Sequence, residues 1–398
     1  MSAPAETYAR FAPLGPRMGI TRVAVLTGLD TLGVPVCLAA RPNSRSIAVF
    51  QGKGRTLAAA KASAFMEAAE TWHAERVLAP CRLGRAADLE AAGLPCVWEG
   101  LPLAEGARFD ADALIPWVEA RDLATGAPAW VPLECVSADY TPAAEARFGR
   151  MFEAHTNGLA SGATLADAIA HALYELVERD AVTLWRLRDG YAEPSLALAA
   201  IRDPDCAWLL ERFAAAGVRI RVWDATSDVG LPAYLCLAAD EGATATDPEI
   251  GAACHPAPAV AIAKALTEAA QARTTWIAGS RDDFAPEIYD AAARARRRRV
   301  SRVWMEGAAT AAPDARADLS TGSADADIGR ALGLLAAAGL GQALCVDLTR
   351  ADIGIPVARV LVPGLESPLT GEEGRAGGAR AARVRAARQN GAAPGRPR

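Results

Sequence analysis

Gly54–Glu70, GRTLAAAKASAFMEAAE, and Gly162–Glu178, GATLADAIAHALYELVE, are two copies of one segment. Overlaid, they match at Gly54 and Gly162, Thr56 and Thr164, Leu57 and Leu165, Glu67 and Glu175, and Glu70 and Glu178, with alternating alanines in both. A weaker third copy, AIAKALTEAAQ over Ala261–Gln271, sets Glu268 at the Glu175 position and Gln271 at the Glu178 position. Duplicated segments disclose architecture before any motif is named. These are rich in strong helix formers and keep apolar residues on a helical period. The first two also follow a Gly-x-Thr able to cap an N-terminus, so the copies read as helices.

A second element recurs around them. DTLGVPV (Asp30–Val36), DVGLPA (Asp228–Ala233) and DIGIPV (Asp352–Val357) each lead into an apolar run, CLAA, YLCLAA or ARVLV. Gly and Pro in a turn ahead of such a run read as a hairpin or strand entry. The expected fold class is therefore α+β, with three repeated strand and helix units closing around one shared core.

With 398 residues, 52% of them apolar, the chain can bury a substantial core. A formal net charge of −5 gives no global field that recommends nucleic acid or an anionic membrane as partner. Eight cysteines stand apart without a C-x-x-C pair, which argues against structural zinc. The opening MSAPAETYARFAPLG lacks the basic start and apolar core of a secretion signal, and the apolar run Ala331–Leu344 is too short to span a bilayer. A cytoplasmic location is expected.

Two stretches read as surface, and a third as a connection. Residues 367–398 are rich in Gly, Ala and Arg and are expected to be mobile tail, so that removing everything beyond Leu369 leaves ligand binding largely unchanged. Arg294, Arg296, Arg297, Arg298, Arg299 and Arg302 read as a solvated helix face, and Glu306–Ala326 as an irregular polar connection. Trp72, Trp185, Trp223 and Trp276 are expected core anchors. His73, His155, His171 and His255 form no metal-ligand spacing and read as packed or surface imidazoles.

The repeated acids carry the chemistry. Residues three and four apart share a helix face, so Ser63, Glu67 and Glu70 point the same way, as do Asp167, Glu175 and Glu178. A lone E-x-x-E is ordinarily a solvated face, but such a face has no reason to recur in the same alanine frame. Paired carboxylates suggest a shared cation, and hard oxygen ligands suit Mg2+, which takes a few carboxylates together with nucleotide phosphates. Gly52-Lys53-Gly54, directly before the first helix, offers backbone donors and a cation as a phosphate cradle. Neither a Walker A loop nor a Rossmann fingerprint is present. Arg179 beside Glu178, and Arg281 of Arg281-Asp282-Asp283, have the planar fork that suits phosphate oxygens.

QGKGRTLAAAKASAFMEAAETWHAE, TNGLASGATLADAIAHALYELVERDA and HPAPAVAIAKALTEAAQARTTWIAGSRDD together resemble the three signature regions of the YcaO family. The segment GITRVAVLTGLDTLGVPV and the segment DLTRADIGIPVARVLVPGLE resemble its TfuA-associated branch, so the likeness runs over 18–366, after an N-terminal extension at 1–17. The resemblance implies ATP and Mg2+ as cofactors, with the metal held by glutamates of two helices. Ser63, Glu67 and Glu70 match the first ATP and magnesium motif, Glu175, Glu178 and Arg179 match E-x-x-E-R, and Arg281 matches a phosphate-contacting arginine. Asp167 stands where the family often has Glu, and Ala163 where it commonly has Asn. Lys53 belongs with the ATP-binding set.

Family members let a nucleophile add to a peptide carbonyl, then phosphorylate and expel its oxygen. Sulfide gives a thioamide; a Cys, Ser or Thr side chain gives an azoline. The segment QNGAAPGRPR lacks a P-x-P-x-P run, and with the branch likeness this favours thioamidation of a precursor peptide or protein alongside a TfuA-like partner. Azoline formation, a non-catalytic ATP-binding accessory role, an unrelated α+β protein with purely structural repeats, and a homodimer are left open.

Overall fold

The computed structural model describes residues 4–240, 247–368 and 377–390. After α1 (Pro4–Phe11), strands β1 (Arg22–Val25), β2 (Val36–Ala40) and β3 (Val49–Lys53) form an antiparallel meander that feeds α2 (Leu57–Ala74). An excursion follows through β4 (Cys81–Gly84), α3 (Ala86–Ala91), β5 (Ile115–Asp122), β6 (Pro128–Pro132) and α4 (Pro142–Phe148). It leads into β7 (Leu159–Ser161) and α5 (Leu165–Leu187). Beyond α6 (Pro204–Ala215), a second meander of β8 (Val218–Asp224), β9 (Ala233–Asp240) and β10 (Glu249–Cys254) feeds α7 (Pro258–Ala278). The chain continues through α8 (Ala291–Met305), α9 (Ala324–Ala337), β11 (Leu344–Asp347), β12 (Val357–Leu361) and α10 (Ala379–Asn390).

β12 pairs antiparallel with both β11 and β7, so a third three-stranded unit, leading into α5, is assembled from strands far apart in the chain. β5, carrying β4 and β6, extends that unit into a six-stranded sheet. The three recurring Asp-to-Pro turns join β1 to β2, β8 to β9 and β11 to β12. The Glu306–Ala326 connection is irregular as far as Ser323, where α9 begins. Among the described residues, no helix is long and apolar enough to cross a membrane.

The alanine frame explains how closely helix and sheet approach. Ala60 and Ala64 of α2, Ala168 and Ala172 of α5, and Ala261 and Ala265 of α7 are all fully buried. A side chain at Gly52 of β3 would overlap the α2 backbone at Ala64, and one at Gly251 of β10 would overlap α7 at Ala265 and Ala269. Glycine on the strand and alanine on the helix allow this contact, so packing against α2 by itself requires glycine at position 52. Each of these helices packs on the last strand of its own unit and also reaches that of a neighbour: α2 reaches β7, α5 reaches β10 and α7 reaches β3. The units thereby close in a ring.

The recurring aspartates tie that ring together. Corresponding positions of α2, α5 and α7 hold Trp72, Asp180 and Arg273. Arg273 Nε donates to Asp30 in the first turn at 3.1 Å. Arg380 of α10 donates to Asp180 at 2.8 Å and to Asp228 of the second turn at 3.2 Å, bridging the two. Arg350 lies 4.4 Å from the Trp72 ring centroid and pairs at 3.1 Å with Asp352 of the third turn.

Two surface expectations are corrected. Within the expected tail, α10 is anchored: Arg380 is buried, and Glu366 accepts from the backbone N–H groups of Gly378 (3.2 Å) and Ala381 (2.8 Å). Residues 369–376 and 391–398 lie outside the described residues. In α8, Arg294, Arg297 and Arg298 converge on the fully buried Asp247, because their helical spacing gathers them on one face. Arg296, Arg299 and Arg302 stay exposed. Of the tryptophans, Trp72, Trp185 and Trp223 are core residues, whereas Trp276 is half-buried beneath Arg297.

Removing one partner of a buried ion pair strands the other charge, typically at a cost of about 3–5 kcal/mol. The Arg380→Ala variant, and a chain ending at Leu369, are therefore both expected to melt well below the unaltered protein in thermal unfolding. Unchanged melting would show that α10 contributes nothing to the ring.

Candidate active site

α2, α5 and α7 line one cavity of about 750 Å³, and Lys53, Ser63, Glu67, Glu70, Asp167, Glu175 and Glu178 all face it. Arg179 stands behind the wall, its Nη1 3.0 Å from Glu178 Oε1 and its Nη2 3.5 Å from Glu175 Oε1. Arg281 also lies off the lining and is held by Asp283, with Nε to Oδ1 at 2.7 Å, but its charge reaches Glu67.

Each acid is positioned differently. Glu70 Oε1 accepts from the N–H and Oγ of Ser161 at 2.8 and 2.7 Å, linking α2 to β7. Glu175 Oε2 accepts from Gly158 N at 3.3 Å. Glu178 Oε1 is buried without a hydrogen bond, since the Arg179 guanidinium approaches it out of line. Asp167 completes a capping box, Oδ2 accepting from Thr164 N at 3.1 Å and Oγ1 at 2.9 Å, which commits one of its oxygens to the helix start. Lys53 donates to Glu268 of α7 at 3.1 Å.

Burial raises the carboxyl pKa values here, against the pull of Lys53, Arg179, Arg281 and the Ser161 bonds. Glu67 rises to about 7, Glu70 and Glu178 each to about 8, and Glu175 also rises. Among the described residues, no three His, Cys, Asp or Glu side chains stand ready to hold a metal ion. The donor set nonetheless fits a hard divalent cation. It consists of carboxylates crowded where burial disfavours their charge, with one oxygen, Glu178 Oε1, lacking a hydrogen-bond donor.

A sequence model described as "YcaO cyclodehydratase, ATP- and Mg2+-binding" matches residues 51–366. The chain belongs to the YcaO family. It is 36% identical over 389 residues to a protein in the tfuA 3′ region of Rhizobium leguminosarum bv. trifolii, covering 93% of this chain and 89% of that one. It is 35% identical over 373 residues to a protein of Methanothermobacter thermautotrophicus, covering 91% and 94%. Among solved structures, YcaO from Methanopyrus kandleri bound with AMPPCP and Mg2+ superposes with a TM-score of 0.72 at 24% identity, over 94% of this chain and 96% of that one. A heterocyclase in complex with substrate and cofactor gives 0.77 at 24% identity, over 92% of this chain. The chain spans only 52% of that heterocyclase. At these identities the structural likeness shows the fold.

In this YcaO chain the cavity also recruits side chains that the sequence reading did not place there. Glu268 was visible as part of the third repeat, but its membership depends on α7 closing the ring. Lys264 and His171 occupy the positions on their helices that the expected Ser63 holds on α2, and all three line the cavity, yet they share no chemistry from which a motif could be read. His255 lines it too, with Nδ1 accepting from Ala257 N at 3.0 Å and its ring edge-on to Tyr174.

Between the ordinary carboxyl value of 4.5 and the raised values, the folded chain keeps protons that the unfolded chain has released. Stability therefore falls as pH rises through that window. The ligand-free protein is expected to melt at progressively lower temperature from about pH 6.5 to about pH 8, above the range in which the lowered pKa values of His73, His155, His171 and His255 act in the opposite sense. Glu178→Gln should raise the melting temperature at the alkaline end and flatten the slope. A rising profile would contradict the carboxylate crowding.

Proposed function

We propose that this chain binds MgATP in the cavity and uses it to activate a backbone amide of a ribosomally made peptide or protein. The observation that carries this reading is the convergence of Glu67, Glu70, Glu175 and Glu178, from two copies of a duplicated helix, in one cavity. The nucleotide would supply the phosphoryl group that turns the amide oxygen into a leaving group. Glu67, Glu70, Glu175 and Glu178 would hold Mg2+, with Asp167 a weaker candidate. Arg179 would keep Glu175 and Glu178 aligned, Lys53 and Ser63 would bind the nucleotide, and Arg281 would lend positive charge near Glu67.

We further propose that the product is a thioamide, formed with a sulfide donor and a TfuA-like partner. The likeness to a protein encoded beside tfuA supports this branch. Azoline formation is the second reading, favoured by the cyclodehydratase description of the family.

Glu67→Gln is expected to fold and to weaken MgATP binding about tenfold or more by calorimetry. Unchanged affinity would sink the metal assignment. A mass measurement on a candidate precursor incubated with ATP, Mg2+ and sulfide separates the branches. Replacement of oxygen by sulfur supports thioamidation, and loss of water supports the azoline.

A further inference from the structure

Three cationic side chains line the cavity among the described residues: Lys53, Arg55 and Lys264. Lys53 is committed to Glu268 at 3.1 Å, and Arg55 to Asp205. The Lys264 ammonium has no ion-pair or hydrogen-bond partner among the described residues, although Glu178, Glu268 and Cys254 act on it electrostatically. An ammonium left unpaired at the wall of this cavity is costly unless something anionic meets it.

Its place in the ring says what that anion would be. Lys264 precedes Glu268 by one helical turn on the same face of α7, the position that Ser63 holds before Glu67 on α2 and His171 before Glu175 on α5. α2 and α5 thus bring carboxylate pairs for a cation, while α7 replaces the second acid by Gln271 and adds an ammonium. Glu178 and Cys254, whose charges act on Lys264, are buried residues of the same cavity wall. Lysine is a compact charge on a flexible stem and suits a tetrahedral phosphate, whereas Arg179 is occupied as a clamp on two carboxylates.

We infer that Lys264 binds the terminal phosphoryl group of the nucleotide, an assignment that rests on the nucleotide-binding reading above. A group that meets only the terminal phosphoryl distinguishes triphosphate from diphosphate. One that merely offsets the acids affects both alike.

The test is calorimetric binding of MgATP and MgADP to the full chain and to Lys264→Met, with Lys264→Gln as second variant should the first not fold. Ligand-free melting would monitor the fold. Loss of MgATP affinity by about tenfold or more, with MgADP affinity nearly unchanged and with recovery in Lys264→Arg, is the expected result. Equal losses for both nucleotides, or no loss for either, would overturn the assignment. If the unaltered chain bound MgADP and MgATP to no measurable extent, the nucleotide reading itself would fall, and Lys264 with it.

Discussion

Carboxylates crowded into a poorly solvated cavity repel one another, and proteins keep them there only with cations or protons to offset the charge. Glu67, Glu70, Glu175 and Glu178 stand in that condition, with Lys53 and Arg179 neutralising only part of it. The remainder appears as raised pKa values, led by burial. The ligand-free chain thus stores an electrostatic cost at one place, and a divalent ion brought with a polyphosphate is the species best suited to relieve it.

The rest of the structure holds those acids at that distance. Glycine on the last strand and alanine on the helix bring sheet and helix into backbone contact, and Glu67, Glu175 and Glu268, three residues on from Ala64, Ala172 and Ala265, continue along that same side of each helix. Ring closure then places three such faces around one cavity. Buried pairs such as Arg273 with Asp30 and Arg380 with Asp180 add directionality more than net stability, since desolvation offsets much of their attraction. Their value lies in register: each turn meets one position of the neighbouring helix.

Much of this was legible because duplication writes the same physical requirement more than once. The alanines, the acids and the Asp-to-Pro turns recur in sequence because the strand–helix contact and the unit junctions recur in space. What stayed hidden is what the copies do not share. Lys264 and His171 are equivalent in place to Ser63, which was read, but unlike it in chemistry. Arg380 is one arginine among many in a stretch poor in large apolar residues, and its partner Asp180 lies on a distant helix, so no local pattern marks it as buried. Asp247 likewise gives no sign in sequence that Arg294, Arg297 and Arg298 will turn inward toward it. The β4–β6 excursion belongs to no repeat and left no periodic trace.

Anomalous diffraction from crystals grown with Mn2+ and a nonhydrolysable ATP analogue locates the cation without assuming its ligands. Peaks within coordination distance of glutamates from both α2 and α5 are the expected result. Manganese elsewhere on the protein, with the cavity glutamates still turned onto Ser161, Gly158 and Arg179, would contradict the convergence of these acids on a shared metal.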